Sequence, residues 1–106
     1  MYAHEIIQSL ALIEYYGTQL VNEKIFMPQG SKRVDVLRLV KLNRILITVN
    51  LISKEQFKKL EKLRKIRNKL AHRPNAYLDF SEKRLYKLSS EAHMLAIELR
   101  RLLNNI

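Results

Sequence analysis

Apolar positions in this chain recur every three to four residues over long stretches, the period of an amphipathic helix rather than a strand. Ala3, Ile6, Ile7, Leu10 and Ile13 line one side of a segment from about Tyr2 to Tyr16, and this helix can run on past Gly17 toward Lys24. The stretch FMPQGSKR then breaks the pattern, and Ser31 is the N-cap expected for a second helix over residues 33–51. That second segment, RVDVLRLVKLNRILITVNL, is apolar over most of its circumference and so is expected to be the most buried helix. Its ILITV run favours a strand by propensity, but no partner strand exists elsewhere in the sequence. Ser53 with Gln56 has the spacing of a capping box and opens a third helix; Asp79 with Glu82 repeats the device before a fourth. On that last helix Leu85, Leu88, Ala92, Leu95, Leu99, Leu102 and Ile106 form one stripe. With short connections, the expectation is one all-α domain over residues 1–106, an antiparallel four-helix bundle with room for a short extra helix.

Composition narrows the chemistry. The 106 residues hold no cysteine, which removes disulfide frameworks and thiolate metal sites and suits a reducing, cytoplasmic setting. His4, His72 and His93 are too dispersed for a metal cluster, and no cofactor is expected. The beginning of the chain has no basic leader and carries Glu5 and Glu14 through its apolar part, so neither a signal peptide nor a membrane span is expected.

The net charge of +10 is unevenly placed. Residues 1–31 sum to −2, whereas Ser53 to Arg73 carries nine basic residues against Glu55 and Glu61. Such a stripe is either a solvated face that keeps the protein soluble or a footprint for a polyanion. Helical geometry separates its members. With Phe57 set at zero, Lys58, Lys62, Lys65 and Lys69 fall between about 80° and 140°. Arg67 falls near roughly 280°, inside the apolar arc of Leu60, Leu63, Ile66 and Leu70. An inward guanidinium needs partners: a buried acid such as Glu14 or Glu98, a bound anion, or an exit for its head to water. His72, close to Pro74, is expected at the helix end, where it caps carbonyls or does chemistry. Asn68 lies four residues before it, so its amide could orient the imidazole or touch a substrate.

Other chemistries find no support. No serine or cysteine nucleophile is paired with a base, no glycine-rich phosphate loop or H-E-x-x-H occurs, and the five tyrosines show no stacking array in the sequence.

The helix LEKLRKIRNKLAHRP resembles the signature helix of the HEPN superfamily, small α-helical domains whose ribonuclease members carry R-x-x-x-x-H, often with Asn after the Arg. Arg67, Asn68 and His72 stand at those positions, with Leu60, Leu63 and Ile66 before them and Ala71 just ahead of the histidine. The resemblance spans the four-helix order of the whole chain. It implies a homodimer in which two signature helices meet and form a composite cleft for metal-independent RNA cleavage. Arg67 and His72 would be catalytic, Asn68 would orient the substrate, and Lys62, Lys65, Lys69 and Arg73 would bind RNA. It also implies a toxin or defence effector acting on cellular RNA, with an antitoxin or regulatory protein as partner. Superfamily toxins paired with nucleotidyltransferases commonly carry a tyrosine two residues after the histidine. Here that position is Pro74 and the nearest tyrosine is Tyr77, so that modification is not carried over. Two alternatives stand beside this expectation: a catalytically inactive HEPN-like binding or regulatory module, adaptor or repressor-like, and a basic helical DNA-binding protein.

Overall fold

Side chains of one helix decide where the next one begins. The computed structural model describes residues 2–73 and 75–105, and four α-helices account for most of them. These are α1 (Tyr2–Val21), α2 (Leu39–Thr48), α3 (Lys54–His72) and α4 (Glu82–Asn104). Among the described residues no strand forms, so the all-α expectation holds. Helix α1 continues past Gly17, as its periodicity allows, and widens into a π-helical turn at Asn22–Phe26. Gly30, at φ 81°, then turns the chain away as the Ser31 N–H closes on the Phe26 carbonyl at 2.9 Å.

The expected N-cap at Ser31 and helix over 33–51 are corrected. Residues 31–38 are not helical, and α2 starts only at Leu39, with Arg38 as an N-cap lacking a side-chain hydrogen bond. The reason lies on α1 and the π-helical turn that continues it, where Glu14, Thr18 and Asn22 follow one another at four-residue spacing and are all buried. Asn22 clasps Val34 on both sides: its Nδ2 donates to the Val34 carbonyl at 3.0 Å and its Oδ1 accepts from the Val34 N–H at 2.9 Å. Thr18 Oγ1 accepts from Leu37 N–H at 2.9 Å, and Glu14 Oε2 accepts from Leu39 N–H at 2.7 Å. Backbone groups that a helix would use internally are thus satisfied by α1 and its π-helical extension. The Asn22→Ala variant is expected to unfold with about 1–3 kcal/mol less free energy, because it strands both Val34 groups. Urea denaturation checks this; an unchanged midpoint would mean that the clasp carries no stability.

Helix α2 ends at a Schellman turn in which Asn50, at φ 62°, lets Leu51 N–H reach the Leu46 carbonyl at 2.9 Å. Nor is it the most buried helix: Leu39, Leu42 and Leu46 are fully enclosed, while Val40 is exposed, as is Val36 ahead of it. A Cβ on Gly17 would lie 2.7 Å from Leu42 Cδ2, so the glycine inside α1 lets α2 come close.

The most extensive packing joins α1 to α4. Ile6, Leu10, Ile13 and Leu20 share one core with Leu42, Leu46, Leu60, Leu63, Leu88, Ala92, Leu95 and Leu99. The predicted α4 stripe is buried from Leu85 to Leu99 and half-buried at Leu102; Ile106 lies outside the described residues. The expected Asp79/Glu82 capping box is also corrected. Asp79 belongs to a 3-10 turn at Ala76–Asp79, and the N-cap of α4 is Ser81, whose Oγ accepts from Arg84 N–H at 3.1 Å. Among the described residues no helix is long and apolar enough to cross a membrane.

Candidate functional site at the end of the third helix

Helix α3 is anchored at its start and bare at its end. Ser53 and Gln56 form the predicted capping box, with reciprocal bonds of 3.1 and 2.8 Å, and Gln56 Nε2 also donates to Glu98 on α4. Leu60, Leu63 and Ile66 bury one face, flanked by half-buried Phe57 and Leu70. Toward its end the helix loses cover: Asn68, Lys69, Ala71 and His72 are exposed. Arg73 follows with φ −122° and ψ 112°, the extended backbone expected of a residue preceding proline. Pro74 itself lies outside the described residues.

Arg67 sits where the helical wheel puts it, on the packed side, with its side chain 18% exposed. Its Nη1 lies 3.2 Å from Glu14 Oε1, and that carboxyl is only 11% exposed. One buried carboxylate therefore joins three elements: it is carried by α1, caps the first N–H of α2 and fixes the arginine of α3. Glu14 touches one nitrogen of the guanidinium, whose planar fork has further donors to offer an anion.

Asn68 and His72 share the exposed face with Lys65 and Lys69, since α3 does reach His72. Arg67 is not on that face. Five residues of helix set it about 140° from His72, so a single chain turns the two in different directions. The four basic candidates also divide. Lys62 Nζ pairs with Glu91 of α4 at 2.9 Å, and Arg73 pairs with Asp79 in the following turn. Among the described residues Lys65 and Lys69 form no ion pair, and both are exposed to solvent.

A second carboxylate ties α3 to α2. Glu61 accepts from Asn43 Nδ2 at 3.0 Å and from Arg64 at 3.0 Å. The Arg64 hydrogen bonds, aided by Asn43 and nearby Lys65, outweigh burial and hold the Glu61 carboxyl below the usual carboxylate range. Because the folded value lies below the unfolded one, this contribution to stability is present at neutral pH and fades as pH falls through the folded value. Glu61→Gln is accordingly expected to lose more stability at pH 7 than at pH 3, measured by urea unfolding at both. An equal loss at the two values would contradict it.

Among the described residues no three His, Cys, Asp or Glu side chains gather where they could hold a metal. The sequence did not reveal that Tyr2, Tyr77 and Phe80 come together, because helix packing joins the start of α1 to the turn before α4.

Fold and site together define a small helical protein with a basic helix end that exposes an asparagine and a histidine on one face and holds an arginine against a buried carboxylate on the other, packed face. Compared with protein-family models, curated proteins and solved structures, the chain matches none.

Proposed function

We propose that the protein is a metal-independent endoribonuclease of HEPN type, working as a homodimer in an antiparallel four-helix arrangement and cleaving cellular RNA as a toxin or defence effector. The observation that carries this reading is the end of α3, where Arg67 is fixed by Glu14 while Asn68 and His72 stand exposed beside Lys65 and Lys69. Cleavage by internal attack needs a base for the 2′-hydroxyl proton and an acid for the leaving 5′-oxygen. The 2′-oxygen bonds to phosphorus, the bond from phosphorus to the 5′-oxygen breaks, and the products are a 2′,3′-cyclic phosphate and a 5′-hydroxyl. One imidazole cannot serve both roles at once, but a two-fold axis supplies two. Two-fold symmetry also answers the divergence of Arg67 and His72 on one helix: the partner helix brings a second copy of each to the shared cleft. There Arg67 stabilises the charge on the phosphate. Lys65, Lys69 and, less strongly because of their ion pairs, Lys62 and Arg73 guide the RNA backbone.

Incubation of the protein with tRNA and total RNA in EDTA tests the reading. The expected result is fragments ending in cyclic phosphate, formed by wild type and not by His72→Ala. Intact RNA with wild type, or equal cleavage by both, overturns it.

One observation favours a second reading. The 3.2 Å pair with Glu14 gives Arg67 a structural task that needs no substrate, as in a catalytically inactive binding or regulatory module. Under that reading Arg67→Ala lowers the melting temperature while RNA stays intact with every variant.

A further inference from the structure

We propose that the cavity between the start of α1 and the turn leading into α4 binds an unpaired guanine base of the RNA cleaved at His72. The inference rests on the ribonuclease reading above and gives its substrate class: single-stranded RNA with a guanine a few nucleotides from the scissile bond.

The cavity measures about 440 Å³ and is lined by Tyr2, Tyr77, Leu78, Phe80, Glu82 and Leu85. That volume lies in the range of small-ligand pockets. Three aromatic rings in one pocket suit a flat heterocycle, because stacking on aromatic side chains is how proteins hold unstacked bases. Two of the three are held in place: the Tyr2 ring meets Tyr86 edge-on at 5.2 Å, and Arg84 stands over the Phe80 ring at 5.2 Å. Tyr77 and Leu78 leave apolar surface open to solvent at 43% and 68% exposure.

Among the described residues Glu82 is the only charged side chain in the lining, and it selects among the bases. A carboxylate offers two parallel acceptors. Guanine presents two adjacent donors on its pairing edge, N1–H and N2–H, and can meet both oxygens as an arginine fork does. Adenine and cytosine place an acceptor beside their donor, and uracil sets its donor between two acceptors, so each turns a lone pair toward the carboxylate. The surroundings suit the phosphates of the same strand. Exposed Lys83, Arg84 and Lys87 lie along the first turns of α4, and Arg73 precedes the turn that carries Tyr77. The five residue steps from His72 to Tyr77 span at most about 18 Å. The bond from Ala76 N–H to the Arg73 carbonyl folds that stretch back, which brings pocket and histidine within reach of a few nucleotides.

Titration of the full chain with GMP and with AMP, followed by NMR of the aromatic ring signals, tests the pocket without requiring cleavage. GMP is expected to shift the Tyr2, Tyr77 and Phe80 rings and to bind about tenfold tighter than AMP. Glu82→Gln, at an exposed position that leaves folding intact, should reduce the preference to about twofold, and Tyr77→Ala should weaken both nucleotides. Equal affinity for the two, or rings unmoved by either, overturns the proposal even if RNA is cleaved. A GMP preference in a protein that cleaves no RNA upholds the base pocket and removes the ribonuclease reading instead.

Discussion

Replacing Glu14 with alanine is expected to lower the unfolding free energy by about 2–4 kcal/mol, among the largest losses available from one side chain here. The change removes two things together. Arg67 is left on the packed side of α3 without its carboxylate, and Leu39 N–H loses the acceptor that starts α2. Removing one partner of a largely buried pair costs more than the pair is worth, because the surviving charge stays desolvated. Glu14→Gln keeps an acceptor for Leu39 and a carbonyl for Arg67, so about half the loss should return. Replacing Glu14 by Gln and Arg67 by Met together removes the stranded charge, and this double variant should be more stable than Glu14→Ala. Urea unfolding of the three proteins checks the order; Glu14→Ala within about 0.5 kcal/mol of wild type would show that the triple junction is not what fixes α1, α2 and α3.

His72→Ala is expected to cost about 10²–10⁴-fold in RNA cleavage while leaving stability nearly untouched. The contrast follows from position. His72 is the exposed last residue of α3 and forms no part of the core, so its removal changes a surface and not a packing contact. Proton transfer by a positioned imidazole is worth that range of rate. Asn68→Ala, one turn earlier on the same face, should lose less, since an amide that orients does not transfer the proton. Cleavage rates measured alongside melting curves separate the roles: a His72→Ala protein with lowered melting temperature and unchanged rate would make this histidine a helix cap.

Much of this arrangement was legible in the chain, in places where one helix explains itself. The Ser53 and Gln56 capping box, the Leu60–Leu63–Ile66 face and the inward angle of Arg67 depend only on residues a few positions apart. Glu14 was foreseen as one of two acids that could meet Arg67, and packing selected it over Glu98, which instead receives Gln56. The start of α2 was misread because its cause is distant. Val34, Val36 and Leu37 add to the apolar circumference of the expected helix, yet Asn22 and Thr18 bind the backbone there and keep it out of a helix. A signal did exist, in short polar residues at four-residue spacing along α1 and its π-helical continuation. The α4 cap went to Ser81 and not Asp79 because Asp79 is occupied in its own turn with Arg73. The aromatic pocket could not be read from spacing at all, since it needs the contact of α1 with α4.

The composite site is tested most directly by dimers built from one wild-type chain and one His72→Ala chain, purified through two different tags. If acid and base come from different protomers, such mixed dimers should cleave RNA at less than about a tenth of the wild-type rate. Mixed dimers that keep half the activity would show each protomer working alone and would contradict the shared site.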